Sequence, residues 1–319
     1  MNILIITPAP PRSRTGNRVT ALRWAGILRG LGHHVTVATD YADQRCDLLI
    51  ALHARRSFAS LERAHQRDPD RPLIVALTGT DIYGGLKGDP LSLRAVELAG
   101  RVVVLQPLAA RELPKQLRRK VRVIHQSVRR PQCRLEPRGD FFDVCVVGHL
   151  RPVKDPFRAV EATRLLPGTS HVRILHAGAA LTEPMADRAQ REMEENPRYR
   201  WLGEMPRWRV MHLMMRSRLL VLASLMEGGA NVISEAIALS VPVLASRIPG
   251  SVGLLGRDYP GYFRVGDTAA LAGLLIRAES DVYFLGRLKA HMRNLAPLVR
   301  PSAERRCWAS LIREIEPRR

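Results

Sequence analysis

Two successive doubly wound α/β domains, each a parallel sheet with helices on both faces, are the fold class this sequence predicts. Three observations predict it. Short apolar runs alternate with longer mixed stretches from the first residue onward. The runs are continuous rather than alternating, as in strands buried on both faces. The pattern breaks once, over about 128–140, and then starts again.

In the first half the runs are NILIIT (2–7), HVTVAT (34–39), DLLIAL (47–52), LIVALT (73–78), RVVVL (101–105) and VRVIH (121–125). Between the first two, Val19, Leu22, Ala25, Leu28 and Leu31 recur at helical spacing, and Gly32 stops that helix before the next strand. Strand, helix, strand in this order is βαβ grammar and implies a parallel sheet. The stretch VRRPQCRLEPRGD (128–140) is polar, contains two prolines and reads as the linker. The second half repeats the pattern with FDVCVVG (142–148), HVRILHAG (171–178), RYRWLG (198–203), RLLVLAS (218–224), VPVLAS (241–246) and GYFRV (261–265). From 267 to 316 the chain reads as helical, interrupted at Pro297 and Pro301. Such sheets bind ligands beyond the carboxyl ends of their strands, so two of them facing each other are expected to form a cleft.

With 46% hydrophobic and 25% charged residues, the composition is that of a globular protein. No stretch approaches the roughly 20 apolar residues of a membrane helix. The opening MNILIITPAPPRSR has no basic segment ahead of its apolar run, so no signal peptide is expected and the cytoplasm is the expected location. Cys46, Cys133, Cys145 and Cys307 are scattered without metal spacing, which points to incidental thiols. The net charge of +20 is spread along the chain, densest in KQLRRKVR (115–122) and VRRPQCR (128–134). Nucleic-acid readers concentrate such charge on one element. The excess here reads as a solvated surface, part of it lining an anion site, with no nucleic-acid partner.

Two stretches carry chemistry. In SLMEGGANVISEA (224–236), Glu227 lies on a turn after a strand, Asn231 reads as an N-cap and Glu235 as a residue of the second helical turn. Gly228 and Gly229, with Ala230 after them, let the backbone approach a ligand, and the helix start favours an anion. An ionised carboxylate accepts from both hydroxyls of a vicinal diol. Two carboxylates bracketing an anion site therefore suit a nucleotide-diphosphate sugar. In VVGHLRPVKDP (146–156), another strand-to-helix turn, Arg151 and Lys154 supply cations where a diphosphate leaving group develops charge. No GxGxxG loop follows a strand, no GxxxxGK[ST] occurs, and DPD (68–70) precedes a strand, so no catalytic metal is expected. His125 and His176 read as structural histidines at strand ends.

Together the two stretches resemble the GT-B glycosyltransferases of the glycogen-synthase-like (GT4-like) retaining class, whose signature is Glu, seven residues, Glu. The resemblance implies that Glu235 holds the donor ribose, Glu227 the donor sugar and Lys154 the diphosphate. It implies a base pocket near Gly203 and Met205, and a donor side that also includes Gly16 and Asn17 of the first loop. It implies domains at 1–134 (acceptor side) and 135–300 (UDP-sugar side), with a final helix, 301–319, packing back towards the first domain. The chain departs from the pattern at His149, where the family has arginine, and at Ala230; Arg151 is expected to supply the missing charge.

These departures, with ALHARRS (51–57), LTGTDIY (77–83) and PVLASRIPGSVGLLGRDYPGYF (242–263), closely resemble the selenosugar synthases of selenoneine biosynthesis. That resemblance implies transfer of a hexose from UDP-glucose or UDP-N-acetylglucosamine to selenophosphate, with UDP-sugar as co-substrate and no cofactor. A selenophosphate synthetase and a selenoneine synthase would be pathway partners. Selenophosphate is already an anion and needs cationic clamping more than a base. His53, Arg55 and Arg56, then Thr78, Gly79, Thr80 and Asp81, are the expected acceptor residues, with Arg12, Arg14 and Arg18 flanking the first loop. The alternative expectation is a carbohydrate or lipid acceptor.

Overall fold

The computed structural model describes residues 1–13, 15–83, 86, 88–133, 135–137 and 139–315, and at Thr80 the backbone. Arg14 and the Thr80 side chain, both named above, lie outside the described residues. The chain divides into two compact units. One comprises Met1–Ser127, Glu227–Asn231 and the chain from Pro301 onward; the other comprises Val128–Met226 and Val232–Arg300.

The first unit contains β1 (Asn2–Ile6), α1 (Gly16–Gly30), β2 (His34–Ala38), β3 (Leu48–Leu52), α2 (Phe58–Arg67), β4 (Leu73–Leu77), α3 (Thr80–Tyr83), α4 (Pro90–Leu98), β5 (Arg101–Val104) and β6 (Val121–Val123). Its strands form one parallel sheet in the order β2-β1-β3-β4-β5-β6. Alternate residues of each strand serve opposite faces. Ile3, Ile5, Leu48 and Ile50 pack with Trp24 and Leu28 of α1. Leu4, Ile6, Leu49 and Ala51 pack with Leu61 of α2 and Val96 of α4. Both faces are covered, which is why the strands read as unbroken apolar runs.

The second unit contains β7 (Phe142–Val147), α5 (Arg158–Thr163), β8 (Val172–Ala177), α6 (Glu183–Glu195), β9 (Tyr199–Trp201), α7 (Arg207–Arg216), β10 (Leu219–Leu222), α8 (Asn231–Leu239), β11 (Val243–Ser246), α9 (Pro249–Leu255), β12 (Tyr262–Phe263), α10 (Thr268–Ser280) and α11 (Val282–Leu295). Its parallel sheet has the order β12-β11-β10-β7-β8-β9. The last helix, α12 (Pro301–Ile315), places Trp308, Leu311 and Ile312 in the α1-side core of the first unit.

The helical run is interrupted at Pro297 and Pro301 as expected: α11 ends at Leu295, a 3-10 turn spans Ala296–Val299, and Pro301 opens α12, where its missing N–H costs nothing. A further break, not expected from the sequence, lies at Asp281, whose carboxylate accepts from Phe284 N at 2.9 Å and caps α11. Among the described residues no helix is long and apolar enough to cross a membrane.

Candidate functional site

The strand order of the second unit reverses between β7 and β10, which pair directly with Leu220 opposite Cys145. A doubly wound sheet opens its ligand crevice at such a reversal, because neighbouring loops run off in opposite directions there. The loops leaving these two strands are the two stretches singled out in the sequence. They are joined: Leu225 N, after β10, donates to Val153 O at 2.9 Å.

The β7 loop is held from below. Leu150 N donates to Ala179 O at 2.9 Å, and Gly148 N to Ala177 O at 2.9 Å. A side chain at Gly178 would overlap the Gly148 carbonyl, so only glycine lets the end of β8 lie against this loop. A 3-10 turn over Pro152–Lys154 follows. The Lys154 stem passes beside Gly148, where an added methyl would sit 3.9 Å from its Cδ. Asp155 closes the turn in the left-handed region, φ 43°, and its carboxylate accepts from Arg158 Nε at 2.8 Å. Arg158 in turn donates to Thr268 Oγ1 at 2.7 Å. Arg151 is exposed at the head of the turn. A recess of about 20 Å³ between Gly148, His149, Lys154 and Ser224 has room for one water-sized group, such as a phosphate oxygen.

Two histidines flank this loop. His149 Nδ1 accepts from Ala179 N at 3.1 Å, which leaves Nε2 as its donor in the neutral ring. Burial, with the Arg151 and Lys154 charges added, lowers its pKa against the pull of Glu204. His149 is thus a neutral single donor where the resembled family has an arginine fork. His176 is fully buried. Its Nε2 donates to Gly148 O at 3.1 Å, and its Nδ1 accepts from Tyr199 Oη at 3.2 Å. Burial pushes its pKa down to about 4. The unfolded chain therefore takes up a proton first. The stability this neutral histidine supports is present above the ordinary value near 6.5 and is lost as pH falls towards 4. Denaturation midpoints measured from pH 7 to pH 4 are expected to fall, with a shallower slope for His176→Asn. Parallel profiles would reject His176 as the cause. At His125 burial also lowers the pKa, and Nδ1 is buried without a hydrogen-bond partner among the described residues.

Gly203 has φ 66° and accepts from Gly178 N at 2.8 Å, which ties the β9 loop to the same backbone. Met205 lies half-buried just before α7. Arg207, the first residue of α7, pairs with Glu235 at 3.1 Å. Glu235 is buried in the second turn of α8. The sequence reading missed Arg207. Its signal was a cation in the first turn of a helix, where the dipole disfavours one unless an anion is near.

Residues Glu227–Asn231 group with the first unit. Gly228 lies on the β4 loop: a Cβ there would stand 2.7 Å from both Gly79 N and the Thr78 carbonyl carbon. At Gly229 a Cβ would stand 2.6 Å from Leu105 Cβ. Glycine at both positions is a packing necessity. Gly229 O accepts from Gln126 Nε2 at 2.7 Å. Ala230 is buried. Asn231, expected to cap α8, is instead its first residue, and its Oδ1 accepts from Arg23 Nη1 at 3.3 Å. Glu227 is half-buried on the turn.

The first sheet reverses between β1 and β3. Asn17, in the first turn of α1 beside Gly16, accepts from Thr78 Oγ1 at 2.7 Å. At the end of β3, His53 is buried with φ 71°, a left-handed conformation unusual for a non-glycine and typical of functional turns. Asp81 accepts from Ala54 N at 3.0 Å and Gly79 N at 2.8 Å, pinning the β3 and β4 loops together. Its carboxylate lies 4.0 Å from His53 Nδ1, yet burial dominates and lowers the His53 pKa. Arg55 and Arg56 are exposed, and Arg55 is ion-paired with Asp89. The structure therefore gathers Asn17, Thr78, Gly79, Asp81 and the 228–231 turn, and leaves Arg55 and Arg56 on the surface.

The family model described as "Glycosyl transferases group 1" matches residues 134–295, just over half of the 319 residues. No curated protein sequence matches the chain. Among solved structures, HepE of Anabaena in complex with UDP and glucose has a TM-score of 0.76 at 17% identity, over 98% of this chain and 100% of that one. Sucrose-phosphate synthase of Thermosynechococcus elongatus has 0.77 at 16%, over 98% of both chains. A glycosyltransferase of Rickettsia africae has 0.72 at 14%, over 98% of both chains. These likenesses establish the GT-B fold, built from two parallel-sheet α/β units. With the family model covering the whole second sheet and both of its loops, the chain belongs to the group 1 glycosyl transferases.

Proposed function

We propose that this chain transfers a hexose from a UDP-sugar, UDP-glucose or UDP-N-acetylglucosamine, to selenophosphate. The observation that carries the donor half is the bond from Leu225 N, just after β10, to Val153 O, beside Lys154, at the β7/β10 reversal of the second unit. HepE, of the same fold, was solved with UDP and glucose and with UDP-glucose. In this reading Lys154, Arg151 and His149 take the diphosphate. Gly228, Gly229, Ala230 and Asn231 give it a close backbone approach. Glu235 takes the ribose diol, Glu227 the sugar hydroxyls, and Gly203 and Met205 the base, with Gly16 and Asn17 completing the donor side.

The acceptor half rests on the sequence likeness and on His53, Arg55, Arg56, Thr78, Gly79, Thr80 and Asp81. Exposed ion pairs are worth little, so an incoming phosphate can take Arg55 from Asp89. Selenium attacks C1, the C1–Se bond forms, and the bond from C1 to the diphosphate oxygen breaks to release UDP. Water then cleaves the Se–P bond, giving phosphate and the 1-seleno-sugar. Incubation of the purified chain with each UDP-hexose and, in turn, selenophosphate, thiophosphate, phosphate and a panel of sugar acceptors is the test. UDP release with selenophosphate is expected. Release with a sugar acceptor and none with selenophosphate would replace the acceptor half by carbohydrate transfer, the activity named in sucrose-phosphate synthase. No UDP-hexose turnover with any acceptor would overturn both halves.

A further inference from the structure

Gln126 is buried just beyond β6, and both ends of its amide are hydrogen-bonded. Its Oε1 accepts from Thr20 Oγ1 and from Arg23 Nη2, both at 2.9 Å. Its Nε2 donates to Gly229 O at 2.7 Å. The amide orientation is fixed by its neighbours. Turned over, it would set an NH₂ against a guanidinium and an oxygen against a carbonyl. Arg23 is itself held, by Glu304 at 3.1 Å through Nε, and reaches Asn231 Oδ1 with Nη1. Two side chains from α1 and the end of the β6 segment thus grip both ends of the 229–231 turn, about a hundred residues or more away in sequence.

A trans peptide points its C=O and N–H in opposite directions. With Gly229 O held on Gln126, the N–H of Ala230 faces the opposite side. We propose that Gln126 is a positioning residue. It locks the peptide between Gly229 and Ala230 so that the Ala230 N–H is presented to the phosphates of the nucleotide. Glycine at 228 and 229 makes this lock necessary: a chain with two glycines has free peptide orientation, and the orientation that binds an anion must be selected from outside. Gln126 itself touches no substrate. This inference rests on the UDP-sugar reading.

Gln126→Glu tests it, because the acceptor side towards Thr20 and Arg23 survives while the donor to Gly229 is lost and a carboxylate oxygen replaces it. The expected result is a loss of UDP affinity of about tenfold, one hydrogen bond to a charged group, with uridine affinity unchanged. Amide hydrogen exchange in a peptide spanning 226–232 is expected to quicken while the melting temperature stays within a few degrees of the parent. Equal weakening of UDP and uridine, or no change in either, would overturn the proposal. If Gln126→Glu fails to fold, Thr20→Val, which removes one of the two supports, decides by the same readouts with a smaller effect of the same sign. Should the parent protein bind no UDP, the donor reading fails. The exchange of 226–232 then still decides whether Gln126 holds this turn: unchanged exchange would overturn the lock.

Discussion

Replacing Lys154 by alanine is expected to lower kcat for UDP-sugar turnover by about 10²–10³, the usual effect of removing one preorganised group from developing negative charge. The KM for the donor is expected to change far less, because the diphosphate already carries charge in the ground state and gains more only as C1–O breaks. The loop should survive the change. Its anchors are backbone bonds from Leu150 and Leu225 and the Asp155–Arg158–Thr268 chain, none of which passes through the lysine side chain. Melting is expected to stay within a few degrees of the parent. Lys154→Arg keeps the charge but brings a planar fork beside Gly148, where a flexible stem now lies, and is expected to recover only part of the rate. Single-turnover kinetics with saturating donor read the step directly. An unchanged kcat in Lys154→Ala would remove the lysine from the reaction and leave Arg151 and His149 as the charge-bearing groups.

Much of this architecture is legible in the sequence. The central strands of the first sheet read cleanly because both of its faces are covered, so β1, β3 and β4 run apolar without polar alternation. The two loops were legible because glycines, a carboxylate pair and a lysine after strands have few other physical explanations. Sheet order was not legible: nothing local in Phe142–Val147 says that Leu219–Leu222 will lie beside it and bring the two loops together. The polar partners of the turn were hidden for the same reason. Gln126 lies 103 residues from Gly229, and Arg23 lies 208 residues from Asn231. An arginine on an amphipathic helix and a glutamine after a strand both look like solvated surface until the fold closes. Asp81 shows how a position alone leaves a second task unread. Its position after a strand suggested substrate, and its two backbone N–H bonds give it a structural task as well.

The largest stability effect is expected at Glu304, a residue the sequence offered only as one more charge in PSAERRCW. In the fold it is 1% exposed and accepts four groups: Arg23 Nε, Trp24 Nε1 at 2.8 Å, Ser127 N at 2.9 Å and the Ser127 hydroxyl. The Arg23 side chain is 13% exposed. Alanine at 304 would leave the Arg23 charge without its counter-ion, Arg23 Nε and the Trp24 indole N–H without their acceptor, and a cavity beside the Trp24–Trp308 edge contact at 4.9 Å. Breaking a buried pair from one side costs about 3–5 kcal/mol, so Glu304→Ala is expected to destabilise the first unit by that order. Glu304→Gln keeps acceptor capacity for the indole and Ser127 N but not the charge, and should lose less. Removing both partners, in Arg23→Met with Glu304→Met, should cost less than the alanine alone, since no charge is then orphaned. Two of the four tryptophans, Trp24 and Trp308, belong to this unit and two, Trp201 and Trp208, to the other. Urea unfolding followed by fluorescence in a Trp201→Phe, Trp208→Phe background therefore reports the first unit alone. A midpoint for Glu304→Ala within about 1 kcal/mol of its parent, the range of an exposed pair, would mean that the carboxylate's four contacts are replaced by water. The tie between α12, α1 and Ser127 would then be no stronger than a surface one.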